Sequence, residues 1–102
     1  MTREESKDWL KKTCGEGWFS LVDDVYNNLP NNLVVTSVYQ KWGALNFDIE
    51  PWNEEFEHYL EKITEKSMGV CEVCGAKGKE RTINDWVHTL CENHYESKLK
   101  NT

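Results

Sequence analysis

Four side chains at metal-binding spacing constrain this chain more than anything else in it. Cys71-Glu72-Val73-Cys74-Gly75 is followed downstream by Cys91-Glu92-Asn93-His94, a C-x2-C-G-x15-C-x2-H pattern. Zn²⁺ takes Cys thiolates and neutral His in a tetrahedron, and structural sites draw all four ligands from protein. Two cysteines separated by two residues turn both sulfurs onto one knuckle, and Gly75 supplies the permissive backbone for that turn. Cys91 and His94, at i and i+3, share one face of a helical turn. Knuckle, hairpin and ligand-bearing helix in this order predict a treble-clef-like zinc module with one structural Zn²⁺, held by Cys71, Cys74, Cys91 and His94. Four protein ligands leave no open position for an activated water. A redox-type Cys71–Cys74 disulfide is the competing reading. It asks for a neighbouring βαβ pattern that the sequence lacks, and it leaves Cys91 and His94 unexplained.

At 102 residues the chain reads as a single domain, 1–102, of a size where burial alone yields modest stability. A metal clip then turns binding energy into folding energy. The five tryptophans are expected to be large buried payloads. No apolar run reaches the ~18 residues of a membrane span and the start is polar rather than signal-like, so a cytoplasmic protein without membrane contact is expected. Cysteines at metal spacing fit a reducing compartment, with Cys14 a small buried hydrophobe outside the site.

Hydrophobic periodicity divides the chain into a helix–hairpin–helix body, 1–69, and a zinc-binding module, 70–102. Thr2-x-x-Glu5 is a capping box opening a short helix to about Lys12, with Trp9 and Leu10 as its apolar side. Cys14-Gly15-Glu16-Gly17 breaks it. Trp18, Leu21, Val22, Val25 and Leu29 form a helical stripe, ended by Pro30. Leu33 to Tyr39 is β-branched and reads as a strand, and Leu45, Phe47 and Ile49 alternate with polar residues in a second. Lys41-Trp42-Gly43 between them reads as a hairpin connection or a bulge. From Trp52 to Ser67, the residues Trp52, Phe56, Tyr59, Leu60 and Ile63 share one apolar arc, while Glu54, Glu57, Glu61 and Glu65 fall opposite. Arg81 to Leu90 reads as a short hairpin turning at Asn84-Asp85, and a last helix starts near Cys91. The fold class is α+β.

Several of these residues together resemble a group of small bacteriophage and prophage zinc-binding proteins. Cys14-Gly15-Glu16-Gly17-Trp18, Gln40-Lys41-Trp42-Gly43-Ala44-Leu45-Asn46-Phe47, Cys71-Glu72-Val73-Cys74-Gly75 and Trp86-Val87-His88-Thr89-Leu90-Cys91-Glu92-Asn93-His94 carry the likeness. It spans about residues 14–95 and is most specific in its zinc half. The hairpin departs from the pattern, with Trp42 in place of Phe and Asn46 in place of a basic residue. The resemblance implies a viral origin and brings no activity with it.

The net charge of −6 sits mainly in residues 50–69, where six carboxylates face two lysines. A general nucleic-acid binder needs a basic face, and the one basic loop is Lys77, Lys79 and Arg81. These three are the contacts of the alternative, nucleic-acid-binding reading. A nuclease-like enzyme is the weaker alternative. It needs a general-base His beside a second metal, whereas His94 is already a ligand, His88 stands alone and His58 lies among carboxylates on the acidic helix. The favoured expectation is a non-enzymatic protein that docks on a host protein, inhibiting a defence or nucleic-acid-handling complex through an acidic, aromatic-rich surface. Glu54, Glu57, Glu61 and Glu65 are its candidate contacts.

Overall fold

A capping box fixes where the first helix begins. Glu5 N donates to Thr2 Oγ1 at 3.1 Å while Thr2 N donates to Glu5 Oε1 at 2.8 Å, opening α1, Arg3–Thr13. The computed structural model describes residues 1–100, so the last two positions of the expected 70–102 module lie outside the described residues. After α1 come α2 (Phe19–Asn28), β1 (Val34–Lys41), β2 (Ala44–Glu50), α3 (Glu54–Ser67), β3 (Lys79–Ile83), β4 (Trp86–Leu90) and α4 (Glu92–Lys100). The architecture is α+β, with four helices and two separate two-stranded antiparallel sheets, β1-β2 and β3-β4. None of the described helices is long and apolar enough to cross a membrane.

Both hairpins turn on two residues with positive φ. Lys41 pairs with Ala44 around Trp42 (φ 54) and Gly43 (φ 77), and Ile83 pairs with Trp86 around Asn84 (φ 51) and Asp85 (φ 69). Left-handed pairs of this kind match the natural twist of the strands they join. In the first hairpin, Val35, Val38, Leu45 and Phe47 point inward, past a register shift between Val35 and Ser37. α3 is capped by Asn53, whose Oδ1 accepts from Phe56 N at 2.8 Å, and Glu54, Glu55 and Glu57 in its first turn favour the helix dipole.

The main core is built by the body: Leu10, Trp18, Leu21, Val22 and Val25 meet the inward residues of β1-β2 and Phe56, Leu60 and Ile63 of α3. A smaller core of Cys71, Ile83 and Leu90 underlies the C-terminal segment.

Burial corrects the tryptophan expectation. Only Trp18 is buried, and Trp9, Trp42, Trp52 and Trp86 are 49, 73, 73 and 71% exposed. α1 gives the interior just Ser6 and Leu10, and Trp9, one residue and ~100° round the helix from Leu10, falls off that face. Trp52 precedes the Asn53 cap and so never joins the apolar arc of α3. Of the acidic stripe, Glu54, Glu61 and Glu65 are exposed and Glu57 is half-buried. Glu57, Glu61 and Glu65 flank the seam with β2, lining a shallow groove of about 350 Å³ with Phe47 and Leu60.

Candidate metal centre

The loop from α3 into the C-terminal segment folds into the expected knuckle. Gly75 takes φ 83, Gly75 N donates to Cys71 O at 2.9 Å and Cys71 N donates to Ala76 O at 2.7 Å. This turn carries both Cys71 and Cys74. The other pair stands where β4 gives way to α4, and Tyr95 N donates to Cys91 O at 2.9 Å. That bond puts Cys91 and His94 in a single helical turn. Between the pairs, β3 and β4 carry the chain out and back.

The Sγ atoms of Cys71, Cys74 and Cys91 and a ring nitrogen of His94 lie within 4.8 Å of one another. Cys74 Sγ is 3.8 Å from Cys91 Sγ, and His94 Nδ1 is 3.7 Å from Cys71 Sγ and 3.2 Å from Cys91 Sγ. None of the cysteines forms a disulfide. A zinc tetrahedron with Zn–S bonds of about 2.3 Å needs S···S edges of about 3.8 Å and S···N edges of about 3.5 Å. The three separations above lie close to these edges, so the donor set suits a tetrahedral metal, with His94 presenting Nδ1.

The electrostatics of the sulfurs point the same way. Burial works against ionising Cys71, but backbone hydrogen bonds from Cys91, Cys74 and Val73 outweigh it and bring its thiol down to about 7. At Cys74 the Ala76 backbone favours the thiolate, yet desolvation and the neighbouring Cys71 and Cys91 sulfurs leave the thiol above its usual value. Sulfurs packed this closely cannot all ionise unless a cation lies between them.

Around the four donors lies a layer that sequence reasoning missed. Glu72, between the two knuckle cysteines, is 1% exposed. Its Oε1 accepts from Gln40 Nε2 at 2.7 Å and Thr89 N at 3.0 Å, and its Oε2 lies 3.3 Å from His88 Nδ1. One carboxylate thus ties the knuckle to both hairpins. The Gly-Glu-Gly turn before α2 packs on the same knuckle: Gly17 N donates to Glu72 O at 2.9 Å, and a Cβ on Gly17 would collide with the Cys71 carbonyl oxygen. Trp18 Nε1 donates to Val70 O at 2.8 Å. Gly17 and Glu72 lie 55 positions apart, so no local spacing in the sequence signals that these two segments touch.

Cys14 is not among the four donors. Burial, with the Glu72 carboxylate adding to it, pushes its thiol up to about 11.

Of the basic loop, Lys77 and Lys79 are exposed, whereas Arg81 is engaged. Arg81 Nη2 pairs with Glu92 Oε2 at 2.9 Å and its guanidinium lies 4.2 Å from the Tyr95 ring centre. Arg81 Nε is buried without a hydrogen-bond partner. Lys77, Lys79 and Arg81 line a pocket of about 270 Å³ beside Cys91. His58 is exposed on α3, and His88 is held by Glu72 rather than by the metal centre. Glu54, Glu57, Glu61 and Glu65 lie on α3 and take no part in the donor cluster. Compared with known proteins, the chain matches no family model, no curated protein and no solved structure.

Proposed function

We propose that this is a zinc-stapled, non-catalytic protein of bacteriophage type that binds a host protein in the cytoplasm and inhibits the complex to which that protein belongs. Zn²⁺ is the metal best suited to three thiolates and an imidazole in a tetrahedron. Knuckle, β3-β4 hairpin and α4 then form a treble-clef-like module around it. The metal's part is structural, since the protein supplies all four ligands. Glu72, Gly17 and Thr89 seat the module on the body.

The placement of tryptophan carries the partner-binding reading. A chain of this size has few large apolar side chains, and four of its five tryptophans are left on the surface. Exposed aromatic groups on a rigid scaffold are the residues that dominate protein interfaces. The acidic α3 flank adds long-range attraction to a basic partner surface.

Affinity capture from host cells, followed by binding measurements on variants, tests this. Charge reversal of Glu54, Glu57, Glu61 and Glu65 is expected to slow association with the captured protein and flatten its salt dependence. Replacing Lys77 and Lys79 is expected to leave that binding intact. Tight, salt-sensitive binding to random duplex DNA, lost on replacing Lys77 and Lys79, would support the nucleic-acid reading instead. Elemental analysis is expected to find one zinc per chain, and none in Cys91→Ser.

A further inference from the structure

The two hairpins meet turn against strand, and an open cleft of about 510 Å³ lies where they meet, lined by Gln40, Lys41, Trp42, Asp85, Trp86 and Val87. Its two indoles come from different sheets. Trp42 belongs to the β1–β2 turn and Trp86 follows the β3–β4 turn, and they are 73 and 71% exposed. Trp42 holds φ 54, a left-handed conformation that Asn or Gly adopts readily and a bulky side chain does not. A costly backbone position that displays an indole to solvent directs attention to function.

The cleft is held open by contacts behind it. Thr89 Oγ1 donates to Gly43 O at 2.6 Å, and a Cβ on Gly43 would come within 3.0 Å of Val87 Cγ1. Gln40 is anchored through Nε2 to the buried Glu72 carboxylate. A ligand therefore meets walls already in place, with little ordering left to do on binding.

We propose that this cleft receives an arginine side chain from a basic segment of the partner protein. The proposal rests on the partner-binding reading above and gives it a site. The charge balance selects the occupant. Indole faces attract cations through their quadrupole, and a guanidinium also stacks on them as a plane. The protein makes such a contact within itself, Arg81 over Tyr95. Asp85, in the cleft wall, makes no ion pair among the described residues, so its carboxylate is free to take the guest's charge. Lys41 supplies a cation to the same wall, but the chain as a whole carries −6 and its field favours a basic visitor over an acidic one.

The test uses the full-length, metal-loaded, ¹⁵N-labelled chain and two blocked tripeptides, acetyl-Gly-Arg-Gly-amide and its citrulline counterpart, which has the same shape and no charge. The arginine peptide is expected to shift the indole N–H signals of Trp42 and Trp86 and leave that of Trp18 unmoved. Its affinity should exceed that of the citrulline peptide by about three- to tenfold, the range of a partly desolvated cation–π contact. Asp85→Asn, which keeps a residue tolerant of the left-handed turn, should bring the two peptides together. Trp42→Asn creates an Asn-Gly turn well suited to the hairpin, so this variant should fold at least as stably as the parent and lose the response. Equal affinity for both peptides, or silent Trp42 and Trp86 signals at millimolar peptide, overturns the proposal. If a captured partner then perturbs α3 while the two indoles stay silent, the cleft is wrong and partner binding stands. If nothing is captured and the indoles stay silent, both readings fall.

Discussion

Glu72 is a buried carboxylate whose oxygens meet three hydrogen-bonding groups from two hairpins. Truncating it leaves Gln40 Nε2 and the Thr89 amide with no acceptor in a dry place. Each unsatisfied buried donor costs about 1–3 kcal/mol, so Glu72→Ala should lower stability by about 2–4 kcal/mol, read as a shift in denaturant midpoint with unchanged slope. A loss below about 0.5 kcal/mol, the size expected of a surface site, would show that the network does not hold the module. Cys14 gives a second prediction at this scale. Its thiol, at about 11 against an ordinary 9.0, stays protonated through neutral pH. The folded state favours the neutral thiol, so its stabilising contribution is complete below pH 9 and is lost as pH rises through about 11. Alkylation of Cys14 at pH 8 should be about a hundredfold slower in the folded protein than in denaturant, because only the thiolate reacts. Mass mapping of labelled peptides measures this. The clustering of the four donors was legible from spacing, since metal coordination dictates sequence intervals. Glu72 was not, because in a linear reading a glutamate between two cysteines looks like any other surface charge.

At the scale of elements, local chemistry explains what could be read and tertiary contact explains what could not. The capping box at Thr2, the stripe from Leu21 to Val25, the turn at Asn84-Asp85 and the helix through Phe56, Leu60 and Ile63 all rest on neighbours in sequence. Each is found near its expected place. Trp9 was misplaced because amphipathic spacing counts side chains without knowing how wide a face its neighbours cover, and Trp52 because α3 begins only after the Asn53 cap. A tight junction between distant segments was also hidden. Gly17 lets the turn before α2 lie against the knuckle, with its N–H donating to Glu72 O at 2.9 Å. Gly17→Ala sets a methyl group against the Cys71 carbonyl, where backbone on both sides must move. Overpacking of this kind costs about 1–3 kcal/mol or more. The variant is expected to lose metal affinity together with stability, because the carbonyl it pushes belongs to a ligand residue. Thermal unfolding and competition with a chromogenic chelator would register both. A variant that melts lower but holds its metal unchanged would place the strain in the body instead.

For the molecule as a whole, the division into two cores decides what metal removal does. The body has a core drawn from α1, α2, β1, β2 and α3. The C-terminal segment has Cys71, Ile83 and Leu90, with Val73, Cys91 and Tyr95 at the edge. That second cluster is too small to stand alone, and a lone two-stranded hairpin is marginal in water. The free energy that holds β3, β4 and α4 must therefore come largely from metal binding and from the seat provided by Glu72, Gly17 and Thr89. Chelation should release residues 71–100 while the body keeps its helices. Amide exchange would become fast in β3 and β4 and remain slow in α2, α3 and β1, and the far-UV helical signal would fall only by the share of α4. The Trp42–Trp86 cleft has one wall on each hairpin, so it should vanish with the metal and return when zinc is restored. Acid should act like chelation. In the folded knuckle, backbone hydrogen bonds overcome desolvation and hold the Cys71 thiol at about 7 against an ordinary 9.0, so its thiolate contributes fully above pH 9 and that contribution is lost as pH falls through about 7. Below that, protons compete with the metal for the sulfurs. Uniform loss of protection across residues 1–100 on chelation would refute this division and make the body depend on the module for its own fold.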